Sequence, residues 1–286
     1  MSTTEPADTA LPNHNNQKKI ALINDFTGFG RCSVAVQLPV ISQLGVQCCV
    51  LPTSVLSNHT GFPSYSFQDF TPYMREHIRE WRKLGLKFRG ICTGFLGSAE
   101  QIAVVSEFID EFGGPDCIVM VDPVMGDEGQ LYNGITPDRI ECMREMVAVA
   151  HLIYPNITEA CYLTGTAYRP EGYTTKETYA IIDRLRSIGT RSVLITSVIV
   201  DGHPAVAGYN DENGNYFVLP FTEIPVHFPG TGDIFSAVLL GHLLDGKPLE
   251  ESTRKAIDTM YRLIDANKDN ADKNSGIAVE RYLSLI

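Results

Sequence analysis

"CIVMVDP", residues 117–123, is an apolar, partly β-branched run that stops at an acid and a proline. It is too short for a helix and has no polar alternation. A strand buried on both faces reads this way, as in a parallel sheet covered by helices on either side. Working outward, the pattern recurs. "KIALIN" (19–24), "VQCCVLPT" (46–53), "GICTG" (90–94), "LIYPN" (152–156) and "SVLITS" (192–197) read as strands. Amphipathic stretches between them read as helices: 33–44 ending at Gly45, 72–84 with Trp81 and Leu84 on its apolar side, 98–112 capped by Ser98, 137–149, and 175–188 closed by Gly189. "AVAGY" and "NYFVLP" flank Asp211-Glu212-Asn213-Gly214 as a hairpin. A helix after Gly232, another over 249–266 and a last one near the C-terminus complete the chain. The expected fold is α/β: one doubly wound, mostly parallel central sheet with helices on both faces. Residues 1–18 read as a polar, disordered tail and 19–286 as a single domain.

Bulk properties exclude several function classes. The 286 residues carry a formal charge of -11, which disfavours nucleic acid and anionic membrane as partners. No apolar run approaches 18 residues, and the N-terminal stretch lacks a signal-peptide core. The seven cysteines are scattered, odd in number and without CxxC spacing, so reduced thiols in a cytoplasmic protein are expected. Cys48 and Cys49, adjacent on a strand, should point to opposite faces.

Ligands of doubly wound sheets bind beyond the carboxyl ends of the strands. The polar clusters fall there: Asn24-Asp25, the stretch from Ser57 to Gly61, Thr93-Gly94, Asp122 to Asp127, Asn156 with Glu159, and Thr196-Ser197. "GTGD" (230–233) opens a helix on the same edge. Free N–H groups at a helix start suit an anion, and glycines at 230 and 232 admit close approach. Asp233 in the first turn could deprotonate a hydroxyl; Thr231 or Asp233 could equally be an ordinary cap. Asp122 and Asp127 surround a glycine turn and suit a metal–phosphate group, or form only a solvated loop. Asn156 and Glu159 have capping-box spacing, and also that of a carboxylate behind a hydrated Mg²⁺. His59, in "LSNHTGF" (56–62), could bond a ring heteroatom or be structural. Phe26, Phe29 and Phe95 could line a flat pocket or belong to the core. No GxxxxGK[ST] is present, and "DFTGFGRCS" (25–33) lacks the third glycine of a dinucleotide loop.

Acid, turn, acid, NxxE and GTGD, in this order, resemble the ribokinase-like superfamily, and within it the pyridoxal/pyridoxamine kinases. The resemblance spans about residues 19–285 and rests on "SNHTGF" (57–62), "TGFLGS" (93–98), "DPVMGDEGQLY" (122–132), "PNITEA" (155–160), "LITS" (194–197) and "GTGDIFSAVLL" (230–240). It implies ATP-dependent phosphorylation of a B6 vitamer's 5'-hydroxyl. Asp233 would be the base and Gly230, Thr231 and Gly232 the anion hole. Asp122 and Glu159 would help hold Mg²⁺, with Asp127 near the ATP phosphates. Asn156, Thr196 and Ser197 would contact nucleotide phosphates, together with Thr231 and Gly232, and the stretch 223–228 would flank adenine. Thr60 and His59 would meet the polar edge of the pyridine, and Phe95 its face. A K⁺ or Na⁺ near the phosphates and a homodimer are also implied.

Two positions depart from that pattern. Asn24-Asp25 stands where many B6 kinases have Gln-Ser, so Asp25 could favour a cationic amine or a protonated pyridine. Tyr154 replaces a small hydroxyl residue. The alternatives are a hydroxymethylpyrimidine or sugar kinase of the same superfamily, whose pyrimidine branch usually has Cys at the position of Asp233, and a non-catalytic vitamer-binding protein.

Overall fold

The computed structural model describes residues 17–133 and 135–286. The first 16 residues of the expected tail lie outside them. Lys18 is anchored, its ammonium on Leu244 O and Asp245. The strands are β1 (Lys19–Phe29), β2 (Gln47–Asn58), β3 (Phe67–Asp69), β4 (Gly90–Thr93), β5 (Ile118–Val121), β6 (Gly126–Asp127), β7 (Gln130–Leu131), β8 (Leu152–Ile153), β9 (Ser192–Val200), β10 (His203–Asn210) and β11 (Asn215–Pro220). The helices are α1 (Val34–Gln43), α2 (Thr71–Lys83), α3 (Ala99–Phe112), α4 (Pro137–Ala148), α5 (Ile157–Thr164), α6 (Thr175–Ile188), α7 (Thr231–Leu244) and α8 (Leu249–Asn267).

Among the described residues the main sheet runs β11-β10-β9-β8-β5-β4-β1-β2-β3. The strands from β9 to β2 are parallel; β10 is antiparallel to β9, and β3 to β2. Alternation along β1 sorts the core. Ile20 and Leu22 pack with Val36, Val40, Leu240 and Leu263 of α1, α7 and α8. Ala21 and Ile23 face the opposite layer, with Met74, Phe108, Met146, Ala160 and Ile182 of α2 to α6. Met120 in β5 falls on the first face and Val119 and Val121 on the second, so "CIVMVDP" is covered on both sides. A one-residue slip would exchange these faces, so the register is strongly specified. Cys48 and Cys49 do divide between the two layers.

The structure corrects several expectations. β1 and β2 run past the sheet body as an arm ending at Phe29 and Asn58, with β3 hydrogen-bonded to β2. Asn24 and Asp25 therefore lie inside β1 rather than after it. The register slips between Asn24 and Phe26, and this irregularity lets consecutive residues Asn24 and Asp25 both be buried. Leu84 caps α2 with 58% of its surface exposed. The expected C-terminal helix is three short 3-10 turns at Lys273–Ser275, Val279–Arg281 and Leu283–Leu285, interrupted by Gly276 at φ +76°. That segment ties itself to the arm: Arg31 pairs with Glu280 and donates to Ser275 O, and His59 Nε2 bonds Asn274 O. No described helix is long and apolar enough to cross a membrane.

Candidate active site

The carboxyl ends of β1, β4, β5, β8 and β9 lie side by side. Ile23 is paired with Thr93, Thr93 with Val121, Val121 with Ile153, and beyond β8 Asn156 bridges Thr196. α7 begins at this edge. Gly230 is its N-cap in the left-handed region at φ +79°, and no side chain caps the first turn. The simple capping reading of Thr231 and Asp233 is thereby overturned. Asp233 turns away from its own helix. Its Oδ2 accepts from Ser33 N at 2.7 Å and its Oδ1 from Asn24 Nδ2 at 3.4 Å. The amides of the first turn keep their positive character and have no side-chain acceptor, the condition for holding an anion. A Cβ at Gly230 would stand 2.0 Å from Arg31 O, whereas one at Gly232 would meet nothing within 4 Å. The loop before α7 is packed against residues 31–32, and the space over Gly232 is open.

Burial pushes the Asp233 carboxyl up to about 7; the charge of Asp25 adds to this, and the Ser33 N–H and Asn24 oppose it. A carboxylate poised near neutrality is well matched to taking a proton from an alcohol. Asn24 spends its amide inside the protein: Nδ2 also donates to Gln37 Oε1, and Oδ1 accepts from the N–H groups of Asp25 and Phe95. Its expected contact with a substrate is therefore corrected to holding Asp233. Asp25 is buried, with Oδ1 accepting from the Ser33 hydroxyl at 2.6 Å and Oδ2 from Thr27 at 3.0 Å. Burial raises its pKa above the usual carboxylate value, and both hydroxyls oppose the shift.

His59 is also corrected. Nδ1 accepts from Gly61 N at 3.1 Å, so Nε2 carries the proton that goes to Asn274 O at 2.7 Å. Both ring nitrogens are engaged, leaving none for a pyridine. Thr60 beside it is exposed. Phe95 is half-buried directly after Gly94, where a Cβ would strike the Asn24 side chain at 2.3 Å. Phe26 and Phe29 are exposed on the arm, with Phe29 packed against Phe62.

Around β5 the capping-box geometry of Asn156 and Glu159 is complete. Asn156 Oδ1 accepts from Glu159 N, and Glu159 Oε2 accepts from Asn156 N, both at 2.9 Å. The pair also grips the loop after β5: Glu159 Oε1 accepts from Met125 N at 3.0 Å, and Asn156 Nδ2 donates to Gly126 O at 2.8 Å. With both oxygens bound by backbone amides, Glu159 shapes the loop from behind rather than presenting an oxygen to a ligand directly. Burial pushes it up to about 8 against these donors, with Asp127 adding to the rise. Asp122 is partly exposed at the strand end, and its carboxyl lies well above the ordinary range through burial and the charges of Glu159 and Asp233. Glu159 and Asp233 both press on Asp122, while Asp127 presses on Glu159 and Asp25 on Asp233, and no cationic side chain is among the causes of these shifts. Among the described residues no three acids, histidines or cysteines converge on one point, so a divalent cation here would be carried mainly by waters and phosphate oxygens, with Asp122 as the one presenting carboxylate.

Asp127 is exposed in β6 and accepts from Glu128 N. Thr196 faces Asn156, with its hydroxyl on Pro155 O at 3.4 Å, and Ser197 is exposed with φ +54°. Phe228 is buried in the core under α7 and α8, so that end of the 223–228 stretch does not reach an adenine. Tyr154 is buried, its hydroxyl on Thr93 O. Sequence reasoning missed Thr27, Ser33 and Gln37 as members of the site. Their partners are Asp25, Asp233 and Asn24, and the Ser33–Asp233 contact spans 200 positions, which no local pattern announces.

A family model for phosphomethylpyrimidine kinase matches residues 35–278. A pyridoxine/pyridoxal/pyridoxamine kinase of Bordetella avium is 31% identical over 78% of this chain and 77% of its own length. The chain belongs to the pyridoxal kinase family. A crystal structure of a Bacteroides thetaiotaomicron protein assigned to the phosphomethylpyrimidine kinases, solved with pyridoxal, is 39% identical to this kinase, with a TM-score of 0.87 over 94% of this chain and 95% of the other. The pyridoxal kinase of Lactobacillus plantarum is 26% identical, with a TM-score of 0.84 over 93% and 95% of the two chains. The doubly wound fold of this kinase is the one these structures share, and its reaction class is phosphoryl transfer to an alcohol.

Proposed function

We propose that this kinase transfers the γ-phosphoryl group of ATP to the 5'-hydroxyl of a B6 vitamer: pyridoxal, pyridoxamine or pyridoxine. One observation carries the reading: Asp233, fixed by Ser33 N and Asn24 Nδ2, stands in the first turn of a helix whose amides no side chain caps. Asp233 takes the hydroxyl proton, the freed oxygen pair bonds to the γ-phosphorus, and ADP departs. The amides at Gly230, Thr231 and Gly232 face the charge that develops on the phosphoryl oxygens, and positioning with electrostatic stabilisation accounts for most of such catalysis. Asp122 would hold Mg²⁺, which supplies neutralisation of the phosphate charge. Asn156 and Glu159 keep the loop after β5 in shape for it. Asp127, Thr196 and Ser197 would meet nucleotide phosphates, and Thr60 and Phe95 the vitamer ring. A K⁺ or Na⁺ near the phosphates, a homodimer and a cytoplasmic location belong to the same proposal.

The 39% identical neighbour solved with pyridoxal supports a vitamer, and the family model's description, phosphomethylpyrimidine kinase, supports a substituted pyrimidine such as hydroxymethylpyrimidine as a second reading. The discriminating experiment incubates the protein with Mg-ATP and, separately, pyridoxal, pyridoxamine, pyridoxine, hydroxymethylpyrimidine and ribose. The expected products are vitamer 5'-phosphates. Phosphorylation of the pyrimidine alone would move the assignment to the second reading, and none at all would favour a binding protein.

Asp25 gives a specificity prediction. A second acid close to Asp233 favours a cationic substituent. Asp25→Ser should therefore lower kcat/KM for pyridoxamine relative to pyridoxal by about fivefold to tenfold, as for loss of one nearby charge, since both Asp25 oxygens stay on Ser33 and Thr27. An unchanged ratio removes Asp25 from the specificity argument.

A further inference from the structure

Ser33 has a conformation that neither its residue type nor its place explains. It lies at φ +52°, ψ -140°, a region L-residues rarely adopt. It is also the N-cap of α1, where a serine side chain ordinarily accepts from the first turn of its helix. Here it makes no such bond. Its carbonyl still starts the helix, accepting from Val36 N and Gln37 N. Two ordinary sources of stability are thus forgone at one residue. Both are redirected to the site: the N–H goes to Asp233 Oδ2 at 2.7 Å, and the hydroxyl to Asp25 Oδ1 at 2.6 Å. The surroundings hold it there. Gly230 is packed on Arg31 O and the Cys32 backbone, Gly276 lies against Arg31, and Glu280 pairs with the Arg31 guanidinium.

We propose that Ser33 is a positioning residue that sets Asp233 and Asp25 as one unit, its strained backbone fixing the base and its hydroxyl fixing the acid beside the vitamer. The proposal rests on Asp233 being the base. It explains why strain is retained in a loop that the C-terminal segment clamps from outside. Strain of this kind persists only where the surroundings over-determine it.

Two substitutions separate the halves of the role. Ser33→Gly adopts a positive φ without strain, so its N–H stays on Asp233 while the hydroxyl on Asp25 is lost. The expected result is a rise of about tenfold in vitamer KM, and kcat/KM falls through that term. Ser33→Ala keeps a Cβ at the strained φ with no hydroxyl to anchor it. Its backbone relaxes and the N–H leaves Asp233, so kcat falls about tenfold or more in addition to the KM effect. Steady-state kinetics with pyridoxal and pyridoxamine, beside thermal unfolding of each variant, read the split. The proposal is overturned if both variants keep kcat and KM within twofold of the parent. It is also overturned if glycine and alanine give the same kinetics and differ only in melting temperature. Should the alanine variant fail to fold, the glycine variant still tests the KM half, and an unchanged KM there overturns the proposal. Asp233→Asn, assayed alongside, isolates the underlying reading: full turnover in that variant removes the base assignment, while the KM effect of Ser33→Gly stands or falls separately.

Discussion

Asp233→Asn lowers kcat about 10³-fold and leaves the KM for ATP within about threefold, the range expected for removing a general base. The substitution is nearly isosteric, so Asn can still accept from Ser33 N through its carbonyl and the start of α7 survives, while its NH2 gives up the weaker acceptance from Asn24 Nδ2. What disappears is the capacity to take a proton. Rapid-quench measurement of the first turnover with pyridoxal reads the chemical step directly. Full turnover would mean that the proton goes elsewhere.

The same variant should gain stability where it loses activity. An unfolded aspartate titrates near 4, whereas the folded Asp233 titrates near 7. The folded state therefore binds the proton more tightly. Between these values stability contributed by this group falls as pH rises, and above about 7 the whole penalty is present. Asparagine carries no charge to desolvate. In the absence of nucleotide and metal, Asp233→Asn should be more stable than the parent at pH 8 by about 2 kcal/mol, with the difference shrinking toward pH 5. Denaturant unfolding at the two pH values checks this. A difference that grows toward pH 5 contradicts the buried-acid account.

Gly230→Ala and Gly232→Ala, two residues apart, should fail differently. At 230 a Cβ meets the Arg31 carbonyl at 2.0 Å, and the backbone needs φ +79°. Residues 31–33 would be pushed away, and with them the donor to Asp233. The expected cost is about 2–4 kcal/mol of stability and a fall in kcat of about 100-fold. At 232 nothing in the protein opposes a methyl group, and the residue is already helical. Gly232→Ala should fold as well as the parent or slightly better. Its methyl would occupy the space that the reading gives to the transferring phosphoryl group, so kcat/KM for ATP should fall about 100-fold. Thermal unfolding and kinetics on both proteins decide the matter. A Gly232→Ala enzyme with normal activity would place the phosphates elsewhere.

Much of the fold was legible because each inner strand has to be apolar on both faces. "CIVMVDP" and "SVLITS" carry that requirement with no polar interruption, and α3, α4, α6 and α8 keep clear boundaries. The C-terminal segment is not the expected helix because its apolar residues Ile277, Val279 and Leu285 are spaced for packing in the layer of α1 and α8, not for a continuous helix. The arm was truncated at Asn24 because asparagine and aspartate look like a strand end, and only the register slip shows how β1 passes through them. At the site, Asp122, Asn156, Glu159 and Gly230–Asp233 are visible as local motifs, and the capping box between Asn156 and Glu159 is legible from its spacing. The long-range bonds are not: Glu159 also holds Met125 N, His59 faces the C-terminal segment, and Asn24 holds Asp233, because each of these partners comes from a distant part of the chain. Ser33 gave no signal, since its role depends on a backbone angle.

Transfer of a phosphoryl group from ATP to a vitamer hydroxyl is observable by phosphorus NMR of the protein with Mg-ATP and pyridoxal. The expected spectrum shows one phosphate monoester, identical to authentic pyridoxal 5'-phosphate, formed in equal amount with ADP. ADP released with inorganic phosphate and no ester, or no consumption of ATP while hydroxymethylpyrimidine is phosphorylated in a parallel sample, would contradict it.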